Sequence, residues 1–325
     1  MQYSPTGTTE AAHQEIGKAA MHCQSRMLAL PQELKEEIVS YLDTATAKNL
    51  ARTCTILTEP AERNSWRSIN LGLSDADLVK ESSLESCVLS VKITKVWTDF
   101  LAALESRPIR TRTIQSIKYP MNQASQTLAA AILPRLSRLE DIIDYMSSTE
   151  HDHDSPMLSS QYPGPSLVPL IACGQMLSVR TLDVCTAVGT SDQFFRALRN
   201  FPNLVQLCTQ LTNTQSGELI SSQAPEMPKL TSLTFNVTVL PDVAIDLVAK
   251  APQLRSLTFN QCTAPTGGDS ALVSQICQSR TICTLDPGLY TWDYITNSGS
   301  LGMDCLPSLE KLTLTTYVSV TYKIK

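Results

Sequence analysis

One pattern recurs down the second half of this chain and limits its fold more than any other feature. It is a leucine, two residues, a second leucine, one residue and a further apolar position, often introduced by proline. It is clear at Pro202–Leu207, Pro228–Phe235, Pro252–Phe259 and Pro307–Leu314, and weaker at Leu177–Val184 and Ile282–Leu285. With the second leucine as the mark, the series is Leu182, Leu207, Leu233, Leu257, Leu285 and Leu312, at intervals of 25, 26, 24, 28 and 27 residues. Helical patterns at Asp192–Asn200, Asp242–Ala251 and Asp269–Gln278 fill the gaps, each beginning at an aspartate able to cap it. A short strand and a helix repeated at fixed period predict an α/β coil, with parallel strands on a concave face and helices on a convex one.

A period in this range resembles that of leucine-rich repeats, which place one strand in each turn. Thr212, Thr238 and Cys262 follow the third apolar position at the distance where such repeats satisfy turn backbone with Asn, Cys or Thr. The pattern is similar to the cysteine-containing subclass. Ile114–Ile117 and Leu136–Leu139 read as degenerate copies 22 residues apart, and the step from 139 to 182 is too long for one turn. The excess is a polar insertion at 147–166, with a Glu150–Asp154 charge run and the breaker Pro163-Gly164-Pro165. Before the repeats, Ala76–Val91 and Lys95–Ser106 read as two amphipathic helices. Trp97 lies within the apolar stripe of the second, so it reads as core rather than as a binding platform.

Residues 27–71 form a separate unit. Pro31 suits the first turn of a helix, and Leu34, Ile38 and Leu42 follow at helical spacing. Asp43 or Thr44 can cap a second helix carrying Ala47, Leu50, Cys54 and Leu57. Trp66 closes the unit as one large apolar anchor. Such a unit is too small for a self-sufficient core. Its ordered series of Leu30-Pro31, Leu34, Ile38, Tyr41-Leu42, Leu50, Cys54 and Trp66 resembles an F-box of the fungal type. The domains expected are thus a disordered tail at 1–26, an F-box at 27–71 and a leucine-rich-repeat domain at 72–325 with its loop insertion at 147–166.

Composition narrows the function classes. The net charge is -5 and no long basic run occurs, so nucleic acid is not an expected partner. No segment approaches the apolar length of a membrane span, and the N-terminus lacks the apolar region of a signal peptide. Ten cysteines without a Cys-x-x-Cys pair read as reduced thiols, which leaves Asn236-Val237-Thr238 a merely formal glycosylation sequon. A cytoplasmic or nuclear location is expected.

No catalytic, cofactor-binding or metal site is expected. Nucleophile elbows and phosphate loops are absent from the sequence, and its four histidines fall in the tail and the insertion rather than on regular elements. His151, Asp152, His153 and Asp154 carry ligand atoms, but consecutive positions on a loop do not preorganise a metal site. The cysteines at 54, 173, 185, 208, 262, 277, 283 and 305 lack a nearby His or Lys to lower their pKa.

The resemblance implies a non-catalytic substrate receptor of an SCF-type cullin–RING ubiquitin ligase, the F-box docking on a Skp adaptor and the repeats holding a target protein. Leu30, Pro31, Leu34, Ile38, Leu42, Leu50, Cys54 and Trp66 are its candidate adaptor-binding residues. Leu34, Ile38 and Leu50 are expected both to pack and to dock. Residues flanking the marked leucines are expected on the concave face, among them Arg180, Asp183, Gln206, Gln210, Thr231, Thr234, Asn236, Arg255, Thr258, Asn260, Glu310 and Lys311. Of these, Arg180, Asp183, Gln206, Thr231, Asn236, Arg255 and Asn260 are the candidate target-binding set. The alternative is a non-ligase leucine-rich-repeat scaffold for protein–protein interaction. Tyr317–Lys325 alternates like a strand with no capping helix after it, so the last turn is covered by an irregular segment or continues into missing repeats.

Overall fold

Alternating apolar positions and helical stripes resolve into α/β architecture. The computed structural model describes residues 29–71, 86–119, 126–144, 167–186, 191–211, 223–238, 241–263, 269–286, 307–315 and 319–323. Contacts divide the chain into two compact units, Met1–Ser68 and Ile69–Lys325. The expected tail, the 147–166 insertion and Thr212 lie outside the described residues.

The first unit is three short helices: α1 (Gln32–Ser40), α2 (Thr44–Thr53) and α3 (Thr58–Arg67). Pro31 stands at the cap of α1 rather than inside its first turn, and its carbonyl accepts from the Lys35 N–H at 3.2 Å. Asp43, not Thr44, caps α2, its carboxylate accepting from the Thr46 N–H at 2.8 Å and the Thr46 hydroxyl at 2.6 Å. Those bonds favour the ionised form and hold the Asp43 carboxyl below its usual range. Val39, Leu57 and Ala61 form the buried centre, with Leu42, Leu50, Ala51 and Cys54 packed against it. Two side chains tie the orphan carbonyls at helix ends. The Asn64 amide donates to Val39 O and Leu42 O at 2.8 and 3.0 Å, and the Thr58 hydroxyl donates to Ala51 O and Cys54 O at 3.2 and 3.0 Å.

The second unit is built on one sheet whose strands follow chain order. They are β1 (Ser68–Asn70, crossing the boundary), β2 (Ser116–Tyr119), β3 (Asp141–Asp144), β4 (Thr181–Thr186), β5 (Gln206–Leu211), β6 (Ser232–Thr238), β7 (Ser256–Thr263), β8 (Thr284–Asp286), β9 (Lys311–Thr315) and β10 (Ser319–Lys323). From β2 to β9 every neighbouring pair is parallel, while β10 returns antiparallel to β9. The described helices are α4 (Ser86–Ser106), α5 (Gln126–Ile132), α6 (Val168–Ala172), α7 (Ser191–Leu198), α8 (Pro241–Ala249) and α9 (Asp269–Gln278). Successive helices pack side by side, α4 on α5, α5 on α6, α6 on α7 and α8 on α9.

The marked leucines fall in register, Leu182 opposite Leu207, then Leu233, Leu257, Leu285 and Leu312. The apolar residue three positions earlier is buried on every strand from β2 to β9, so each strand entry contributes two core side chains. A recurrent backbone bridge fixes this alignment. The carbonyl of the residue preceding a strand accepts two consecutive N–H groups from the entry of the next: Glu140 O from Arg180 and Thr181, Arg180 O from Val205 and Gln206, Thr231 O from Arg255 and Ser256. Without a partner these groups would be buried donors and acceptors at a turn, which is costly.

Several expectations are corrected. On β3 the register mark is Ile142, paired with Ile117 and Leu182, not Leu139. The early copies are therefore spaced 25 residues, from 117 to 142, and the long step runs 40 residues, from 142 to 182. The two helices expected before β2 meet in a single α4, whose 21 residues run through Val91 and Lys95 without a break. Asp192 and Asp242 sit one residue inside α7 and α8 rather than capping them, where a carboxylate still opposes the positive helix end. Thr238 aligns with Thr263, not Cys262, because β6 and β7 slip register after Asn236. Trp97 is fully buried, edge-on to Tyr119 at 5.2 Å and Phe100 at 6.2 Å.

Candidate interaction surfaces

The adaptor-binding candidates separate into two groups by burial. Leu42, Leu50 and Cys54 line the small core of the first unit, and Leu30 and Trp66 are half-buried. Pro31 is exposed, and on α1 Leu34 and Ile38 are 44% and 40% exposed. Helical spacing continues that row to Tyr41, at 81% exposure just beyond the helix. The side of α1 turned to the core is instead held by Val39, which the sequence reading missed. Leu34, Ile38 and Tyr41 thus form an apolar row that the unit's own packing does not use. Elsewhere on the unit Arg63 bridges Glu36 and Glu59 at 2.7 and 2.6 Å, in an exposed network worth little to stability.

The second candidate surface is the side of the sheet opposite the leucines. Side chains alternate along a strand, so positions next to each marked leucine share one face. One row across it is Thr181, Gln206, Ser232, Ser256, Thr284 and Lys311, and a parallel row is Asp183, Cys208, Thr234, Thr258 and Asp286. All are half-buried or exposed. Thr181, Ser232, Ser256, Thr284, Cys208 and Asp286 were missed by the sequence reading, although strict alternation puts the residues one before and one after each mark on this face. Arg180, Thr231, Arg255 and Glu310, expected on this face, lie instead in the turns just before their strands. The side chain of Gln210 lies outside the described residues.

Asn236 and Asn260 stand opposite each other farther along. The Asn260 amide donates to Asn236 Oδ1 at 3.0 Å, and the Asn236 amide donates to Cys208 Sγ at 3.1 Å. This engages the nitrogen that the formal sequon would need for glycosylation. Among the described residues, no three His, Cys, Asp or Glu side chains gather in a metal-binding arrangement. Glu150–Asp154 lies outside those residues. Cys54, Cys173, Cys208, Cys277 and Cys283 are free thiols, and burial pushes Cys173 up to about 11, which keeps it protonated at neutral pH.

No family model matches the chain. Over 93 residues, 29% of its length, it is 31% identical to a tRNA-2-methylthio-N(6)-dimethylallyladenosine synthase of Dehalococcoides mccartyi, covering 22% of that protein. The chain therefore spans about a fifth of that protein's length. Among the described residues, no helix is long and apolar enough to cross a membrane.

Proposed function

We propose that this chain is an F-box and leucine-rich-repeat substrate receptor of an SCF-type ubiquitin ligase, non-catalytic itself. In this reading the helical unit docks on a Skp adaptor and the repeat coil presents a target protein. The observation that carries it is the split on α1. Val39 serves the internal core, leaving Leu34, Ile38 and Tyr41 as an apolar row on the outside. Singly exposed apolar residues need no explanation, but a row at helical spacing is the form in which a helix offers itself to a partner. The in-register leucines on sequential parallel strands support the repeat half of the reading, with target contact falling on the polar face around Asp183, Gln206, Asn236 and Asn260 and on Arg180, Thr231 and Arg255 at the strand entries.

The test is co-purification with a Skp adaptor. Wild-type chain is expected to bind, and two variants, Leu30→Asp with Pro31→Ala and Leu34→Asp with Ile38→Asp, are expected to lose the adaptor while staying folded. Adaptor binding that survives both variants rules this docking mode out. A folded wild-type chain that binds no adaptor favours the scaffold reading.

A further inference from the structure

The strand face is nearly neutral, but the edge where the strands begin is not. Arg112 ends the 3-10 turn Pro108–Arg112 that leads into β2, Arg138 lies in the turn entering β3, and Arg180 immediately precedes β4. These three strands are consecutive neighbours, and their first residues Ser116, Asp141 and Thr181 stand in register. Adjacent strands are about 4.8 Å apart, so the three entries lie within about 10 Å, the length of three extended residues. Arg112, Arg138 and Arg180 are all exposed, and none makes a side-chain ion pair or hydrogen bond among the described residues.

Neighbouring arginines at this edge are already engaged. Arg110 donates to Ala103 O at 2.7 Å, closing the end of α4, and Arg135 stands 4.0 Å from Glu105. Glu140 and Asp141 also lie here, so the edge is not purely basic. Three unengaged guanidiniums nevertheless concentrate in a chain of net charge -5. Exposed arginines offer forked donors whose geometry suits carboxylates.

We propose that the entry edge of β2, β3 and β4 is a docking surface for an acidic peptide segment. The three arginines stand four, three and one residues before strand entries that themselves span about 10 Å, a cluster of cations that an extended acidic segment can engage with more than one carboxylate. A nucleic acid fits less well, because three cations make a short electrostatic footprint and no aromatic side chain lies in the two face rows beside it for bases to stack on. The assignment stands apart from adaptor docking, since all three residues belong to the second unit and the measurement needs no adaptor.

The experiment is fluorescence anisotropy of the full chain with a labelled poly-glutamate peptide, against poly-glutamine and a single-stranded oligonucleotide. Wild type should bind poly-glutamate, more weakly as salt rises, and should bind neither control comparably. Arg112→Gln with Arg138→Gln and Arg180→Gln should weaken binding by about tenfold or more while leaving the thermal midpoint in place. A charge-matched control, Arg52→Gln with Arg196→Gln and Lys311→Gln, should weaken it far less. Equal losses in the two variants, equal binding of poly-glutamine, preference for the oligonucleotide, or no binding by wild type would each overturn the proposal. If the triple variant unfolds, the three single variants replace it, and each must weaken binding.

Discussion

Thr209 occupies a position that its strand neighbours give to Val184 and Phe235. It is fully buried, and its hydroxyl has no hydrogen-bond partner among the described residues. A buried hydroxyl without a partner forfeits its hydration with nothing in return. Thr209→Val keeps the branched shape and removes that loss, so it should stabilise the chain by about 1 kcal/mol, seen as a higher urea midpoint at unchanged slope. Asp43 gives a prediction of opposite kind. Its folded pKa lies below its unfolded one, because Thr46 donates to the carboxylate twice. The stability it contributes is therefore present above the unfolded value and lost as pH falls through the folded one. Asp43→Asn should flatten that acid limb of the thermal midpoint against pH, and an unchanged limb would show that the cap does not carry it. Asp43 was readable from sequence because capping is local. Thr209 was not, since burial depends on strands distant along the chain.

At the scale of elements, α1 shows what an apolar pattern conceals. Leu34, Ile38 and Val39 are all apolar, and the pattern alone does not separate a face turned to the core from one left outside. The sequence reading gave Leu34 and Ile38 both roles, packing and docking, whereas of the Leu34, Ile38 and Leu42 stripe only Leu42 packs on the core around Val39. Burial predicts sharply different costs. Val39→Ala should destabilise the helical unit by about 2 kcal/mol through lost transfer and a cavity, measured by denaturant unfolding. Leu34→Asp with Ile38→Asp should change it by no more than about 0.5 kcal/mol for each substitution. A large loss in the second variant would mean that the exposed row is structural. On β3 the misplaced mark has a similar origin. Leu136, Leu139 and Ile142 are three buried apolar residues at equal spacing, and either consecutive pair of them fits the repeat pattern. Only the pairing of Ile142 with Ile117 and Leu182 chooses between them.

At the scale of the whole sheet, the period itself was legible, since six marked leucines from Leu182 to Leu312 stand in one register across β4 to β9. Each strand pairs only with its sequence neighbours, and the carbonyl bridge before each strand joins one entry to the next. Stability in such an arrangement is a sum over adjacent elements, so the period should be removable as a unit. Deleting residues 207–232 joins Gln206 to Leu233 and restores the order Leu204-Val205-Gln206-Leu233, the spacing of an intact strand entry. The carbonyl of Val205, which now accepts from Thr231 and Ser232, would then accept from Arg255 and Ser256 in the following entry. Phe235 would keep its stacked partner Phe259, 5.3 Å away, because β6 still precedes β7. This deletion should leave a folded chain with cooperative unfolding and circular dichroism reduced in proportion to length. Deleting only 207–219 breaks the period and should abolish the cooperative transition. Equal collapse of both chains would show that the sheet depends on contacts beyond its nearest neighbours.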